Sequence, residues 1–138
     1  MIGLDTNVLV RYLMKDDASQ FRQASALIAS FSQDEPGFIT LIVLVELVWV
    51  LQSCYQMNRS DLVKFLKLLL GAKEILVQEA AWVWRALRRF EAATADFTDC
   101  LIACCAQAAG CQYTVTFDRQ AAKTAGMISI LQFRKGKK

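Results

Sequence analysis

Asp5, Glu46, Asp99 and Asp118 are the residues of this 138-residue chain whose types and settings could do chemistry. Glu46 stands out most. It is the only charged residue between Glu35 and Arg59, inside the apolar run Leu41 to Leu51. A carboxylate drawn into an apolar interior costs several kcal/mol, roughly, unless something pairs with it. No base lies within eleven positions on either side, so a helical i,i+4 partner is excluded. A proton, an arginine or a metal ion must then compensate it, and the other acids favour the metal. Asp5 follows the first apolar stretch, Asp118 follows a later one ending at Thr116, and Asp99 opens the helix leading to that later stretch. Asp96 lies one helical turn before Asp99.

Like charges that crowd raise one another's pKa, so several ionised acids on one rim need a cation. Hard oxygen ligands select Mg²⁺ or Mn²⁺ over Zn²⁺. Calcium also takes oxygen ligands, but the DxDxDG loop of an EF-hand is absent. Each acid also has a plainer reading. Asp5, Asp96 and Asp118 can be helix caps, and Asp99 can simply favour a helix dipole. Thr6, Asn7 and Thr116 are suited to orienting carboxylates as supporting donors.

The inventory excludes much. The chain has no histidine, so cleavage by a histidine acid–base pair, a zinc hydrolase of the usual pattern and a Cys–His nucleophile all fail. No glycine-rich phosphate loop occurs. A glycosidase would use two carboxylates and would not need four on one rim. Hydrolysis by metal-activated water, with in-line displacement at phosphorus, suits the residues best.

The elements that must position these acids alternate in type. Residues 1–4 read as a strand ending at the capping residues Asp5-Thr6-Asn7, with a helix over 7–14. Asp16-Asp17 caps a second helix with Phe21, Ala24, Leu27, Ile28 and Phe31 at helical spacing. After the turn at 34–37, a strand over 37–39 leads to Thr40, which can cap a helix carrying Glu46 to about Cys54. Ser60-Asp61 starts the next helix and Gly71 stops it. A strand follows at 75–77, then a helix over 79–92 with Trp82, Ala86 and Phe90 on one side. A helix opens at 95–99 and runs to about Ala109, followed by a strand over 112–116, a short helix from Asp118-Arg119 and a final strand over 127–130. This order predicts an α/β fold with a parallel sheet and helices on both faces. In such sheets functional residues gather at the carboxyl ends of the strands.

The apolar fraction of 55% is high for so short a chain and points to a surface covered by a partner. The longest apolar run is too short to span a bilayer. Met1 leads directly into Ile2-Gly3-Leu4-Asp5 without a basic stretch, as expected of a cytoplasmic protein. Arg134, Lys135, Lys137 and Lys138 account for the positive net charge of +3, and the rest of the chain is slightly acidic. The expected organisation is one domain over 1–131 and a disordered basic tail over 132–138. The five cysteines read as free thiols in a reducing compartment, with Cys100 and Cys104 in the core.

Asp5-Thr6-Asn7-Val8-Leu9, Val45-Glu46-Leu47, Asp96-Phe97-Thr98-Asp99-Cys100-Leu101-Ile102-Ala103 and Thr116-Phe117-Asp118 resemble, in order, the motifs of PIN-domain ribonucleases. The toxins of VapBC toxin–antitoxin pairs are the most similar subgroup. The resemblance covers nearly the whole chain. It implies a three-layer α/β/α sandwich with a mostly parallel sheet of roughly four to five strands. It also implies an endoribonuclease dependent on Mg²⁺ or Mn²⁺ and acting on structured RNA. Asp5, Glu46 and Asp99 match the three core acids, Asp118 the more variable fourth, and Asp96 an acid of one subgroup. A homodimer and a cognate antitoxin protein are implied as partners. For RNA backbone contacts, Arg11, Lys15 and Arg119 are candidates by nearness in sequence to the acids. The alternatives are a PIN-like RNA-processing nuclease that is not a toxin, or a non-catalytic module that binds a cation or partner. A haloacid-dehalogenase-like phosphatase would need an acid where Asn7 stands.

Overall fold

The structure, a computed structural model, describes residues 1–136. By packing, the chain divides into two compact units, Met1–Ala80 and Ala81–Lys138. The first holds β1 (Ile2–Gly3), α1 (Thr6–Met14), α2 (Ala18–Ala29), β2 (Gly37–Ile39), α3 (Leu41–Ser53), α4 (Arg59–Gly71) and β3 (Ile75–Val77). Its three strands form one parallel sheet in the order β1-β2-β3. The register pairs Ile2 with Gly37, and Gly37 in turn with Ile75. Gly37 is required by space. A Cβ there would lie 2.6 Å from the ring of the buried Phe31.

α3 forms because both its N-terminus and its inner face are satisfied. The Thr40 side chain accepts from Val43 N at 3.2 Å, and Gln78 Oε1 accepts from Leu41 N at 2.9 Å. Leu44, Leu47, Val48 and Leu51, spaced as one helical stripe, are at most 1% exposed. Each such side chain contributes about 1.5–3 kcal/mol by leaving water. α4 begins earlier than the Ser60-Asp61 start expected from sequence. Asn58 is its cap, accepting from Asp61 N at 2.8 Å, and an amide side chain serves there as well as a hydroxyl.

The second unit holds α5 (Ala80–Ala92), α6 (Phe97–Ala108), β4 (Val115–Thr116), α7 (Arg119–Thr124), β5 (Ile128–Ser129) and α8 (Ile130–Gly136). β4 and β5 pair in parallel, Val115 with Ile128 and Thr116 with Ser129. The buried stripe of α5 is Val83, Ala86, Leu87 and Phe90, whereas Trp82 is only half-buried. Phe90 and Phe97 meet edge to face, with centroids 5.8 Å apart.

The α/β class and parallel strands agree with the sequence reading. The strands are shorter than expected and fall into two hydrogen-bonded sets, of three and two, rather than one sheet. Residues through 136 belong to α8, which starts directly at the end of β5. Lys137 and Lys138 lie outside the described residues. All five cysteines are free, with Cys100 and Cys104 buried. Burial foremost pushes the Cys100 thiol up to about 11, so it stays protonated and packs as a small apolar group. Among the described residues, no helix is long and apolar enough to cross a membrane.

Candidate functional site: two groups of carboxylates

In the first unit, Asp5 ends the stretch after β1 and caps α1, its Oδ1 accepting from Thr6 N at 2.7 Å. Glu46 lies on the outer side of α3. The two acids line one open cleft of about 550 Å³, together with Thr6, Asn7, Arg11 and Tyr55. This corrects the view of Glu46 as a buried carboxylate. The apolar run is a helix with one buried stripe, and Glu46 occupies the exposed side of it, so no desolvation forces a partner on it. Thr6 is 5% exposed, and its Oγ1 has no hydrogen-bond partner. An orphaned buried hydroxyl beside a carboxylate is a feature that a ligand in the cleft would explain.

Arg11 sits in the same cleft but is already engaged. It pairs with Asp16 at 3.1 Å and donates from Nε to Gln20 Oε1 at 2.7 Å. The Tyr55 hydroxyl donates to the other oxygen of Asp16 at 2.7 Å. That hydrogen bond is the main reason the Asp16 carboxyl lies below its ordinary value, with the Arg11 charge adding to it. The Asp16 charge in turn raises Arg11. Lys15 ends α1 in a left-handed conformation (φ 54), its Nζ 5.2 Å from the centre of the Phe21 ring, and does not line the cleft. Sequence reasoning missed Tyr55 and the role of Asp16 because their pairing spans 39 positions, which no local spacing reveals. A depressed carboxyl adds stability above its unfolded pKa and loses it as pH falls through the folded value. Tyr55→Phe is therefore expected to lower the melting temperature at pH 7, and the difference should close as pH falls from 3.8 through the depressed value. Thermal melts of both proteins across that range check this.

In the second unit, Asp96 caps α6, its Oδ2 accepting from Asp99 N at 3.3 Å. Asp118 caps α7, its Oδ1 accepting from Gln120 N at 2.8 Å and Ala121 N at 3.0 Å. Thr116 Oγ1 accepts from Asp118 N at 3.0 Å and so bridges the turn that carries this acid. Arg119, the first residue of α7, is exposed. Burial first, then the negative charges of Asp96 and Asp118, hold the Asp99 carboxyl above its ordinary value. Two neighbouring acids thus act on Asp99, a charge arrangement that a cation would relieve. Asp5, Asp96 and Asp118 all serve as caps, so their plainer structural reading is real whatever else they do.

A family model for the PIN domain matches residues 2–127. The chain belongs to the PIN-domain family. Members of that family are generally nucleases, and so hydrolases, and they typically use divalent metals. No curated protein matches the chain. The match runs through both units, and both carry acids expected to matter in a PIN domain. Among the described residues, no three of His, Cys, Asp and Glu stand in a ready-made metal-holding cluster. The chemistry of the donors nevertheless fits a hard cation. The two groups offer carboxylate oxygens, the unpartnered Thr6 hydroxyl and the raised Asp99 carboxyl, and no histidine or exposed thiolate pair that would select zinc.

Proposed function

We propose that this PIN-domain protein is an endoribonuclease dependent on Mg²⁺ or Mn²⁺, and the toxin of a VapBC-type pair. Asp5, Glu46, Asp99 and Asp118 are its catalytic and cation-holding residues, with Asp96 as a further acid. The observation that carries the reading is the state of Asp99. An acid kept partly desolvated beside two others carries an electrostatic cost that a bound cation would offset. The cation, when bound, supplies positive charge to the transferring phosphoryl group and acidifies a water. The protein's own groups do the rest. Asp118 and Asp5 are held in place by the helix amides they cap, Thr116 fixes the turn that carries Asp118, and Asn7 lines the cleft where substrate would enter. Attack in line at phosphorus would leave a 5′-phosphate and a 3′-hydroxyl.

Exposed apolar side chains support protein partners, both a second copy and an antitoxin. Ile42 and Trp49 are 81% and 61% exposed and flank Glu46 on α3. Arg119 remains a candidate for RNA phosphate, whereas Arg11 is more suited to shaping the cleft than to meeting substrate.

The test is cleavage of a structured RNA pool by the purified protein. Cleavage is expected with Mg²⁺ or Mn²⁺, none with excess chelator, and 5′-phosphate ends on the products. Cleavage that persists undiminished in chelator would end the proposal. The toxin reading adds that production of the active chain arrests growth and that a co-produced partner restores it.

A further inference from the structure

The second unit carries a cationic pocket. Arg85 and Arg89 stand one turn apart on α5 and, with Gln107, Gln112, Tyr113 and Thr114, line a pocket of about 390 Å³. Among the described residues, no carboxylate lines it. Neither guanidinium has an ion-pair partner among the described residues. Two like charges at i,i+4 on a helix repel, so the pair is a local cost. Gly126 (φ +84) forms part of the wall, and the Arg89 guanidinium carbon lies 3.0 Å from where a Cβ on that glycine would sit. The glycine therefore lets Arg89 lie close against backbone, which holds its fork in position. The charges converge on the wall: Arg85, Arg89 and Arg88 all draw the Cys104 thiol down, against the larger opposite effect of its burial.

We propose that this pocket binds a phosphate group. Guanidinium forks match phosphate oxygens in pairs, and the amides, phenol and hydroxyl of Gln107, Gln112, Tyr113 and Thr114 can donate to the rest. Donors come from α5, from α6 and from the segment 112–114, an arrangement that suits a tetrahedral group better than a flat carboxylate. Gln107 is eight residues beyond Asp99 on α6, about 12 Å along the helix axis. Ala103, the lining residue of α6 nearest the acids, is one turn beyond Asp99, so the pocket adjoins the acids without including them. The inference stands apart from the nuclease reading, since the pocket's residues include none of its acids. The phosphate has two sources of the same chemistry, a free phosphate or mononucleotide and the backbone of a nucleic acid.

The test uses the full chain, isotope-labelled, in chelator and at fixed ionic strength. Amide spectra are followed while inorganic phosphate, a nucleoside 5′-monophosphate, a short oligoribonucleotide or an oligoglutamate peptide is added. Saturable shifts at Gln107, Thr114 and Gly126 are expected with phosphate. Arg85→Gln should weaken that binding about tenfold or more, and Arg85→Lys should weaken it less. Arg85 is the deciding position because it does not pack on Gly126, and an unchanged melting temperature confirms the variant's fold. An oligoribonucleotide that binds at least about tenfold more tightly than inorganic phosphate through the same amides assigns the phosphate to a nucleic-acid chain, and equal affinities assign it to a small molecule. The proposal is overturned if phosphate moves none of these amides, if Arg85→Gln binds as well as the wild type, or if oligoglutamate binds there more tightly than phosphate.

Discussion

Asp5→Asn, Glu46→Gln and Asp99→Asn are each expected to slow RNA cleavage by about a hundredfold to a thousandfold or more, with the melting temperature nearly unchanged. The separation of the two readouts follows from what each side chain does. Asp5 caps α1, and asparagine is as good a cap as aspartate. Glu46 is exposed on α3, where glutamine has nearly the same helix propensity. At Asp99 two small effects oppose. The neutral amide gives up a favourable interaction with the α6 dipole, and it relieves the repulsion from Asp96 and Asp118. Stability held and activity lost is the signature of residues kept for chemistry. Initial cleavage rates of a labelled RNA, beside thermal melts, measure both. An Asp99→Asn protein that cuts at the wild-type rate would remove this acid from the reaction and leave it a helix residue.

The largest stability effects belong to the buried stripes. Phe90→Ala is expected to cost about 3–5 kcal/mol and Leu47→Ala about 2–5 kcal/mol. Both side chains are 0% exposed, and Phe90 also loses its edge-to-face contact with Phe97. Such losses are a large share of the roughly 5–15 kcal/mol that holds a domain folded. Trp49→Ala is the control, a larger truncation on the same helix as Leu47. Its ring is 61% exposed, and a change within about 0.5 kcal/mol is expected in the isolated chain. Urea denaturation should show the midpoint falling for the first two with the slope unchanged. A Trp49→Ala protein as unstable as Leu47→Ala would mean that the exposed side of α3 contributes to the fold.

By itself, the order of residues determined the element types and the donor chemistry. Caps and breakers act over a few positions, so Asp5, Thr40, Asp96 and Asp118 marked helix starts that the structure shows. The absence of histidine is a fact of composition, and with it went zinc and imidazole chemistry. Tertiary structure decided what depends on which side of an element faces inward and on partners far apart in the chain. Glu46 sits in an almost wholly apolar helix, where periodicity is too weak to say which side is out, and only packing put it at an open cleft. Arg11 looked available until Asp16, Gln20 and Tyr55 were seen to hold it. The Arg85–Arg89 pocket was likewise hidden, because its walls come from segments up to 43 positions apart. Local steric and hydrogen-bonding preferences are written residue by residue, whereas solvent exposure and long-range pairing exist only once the chain has packed.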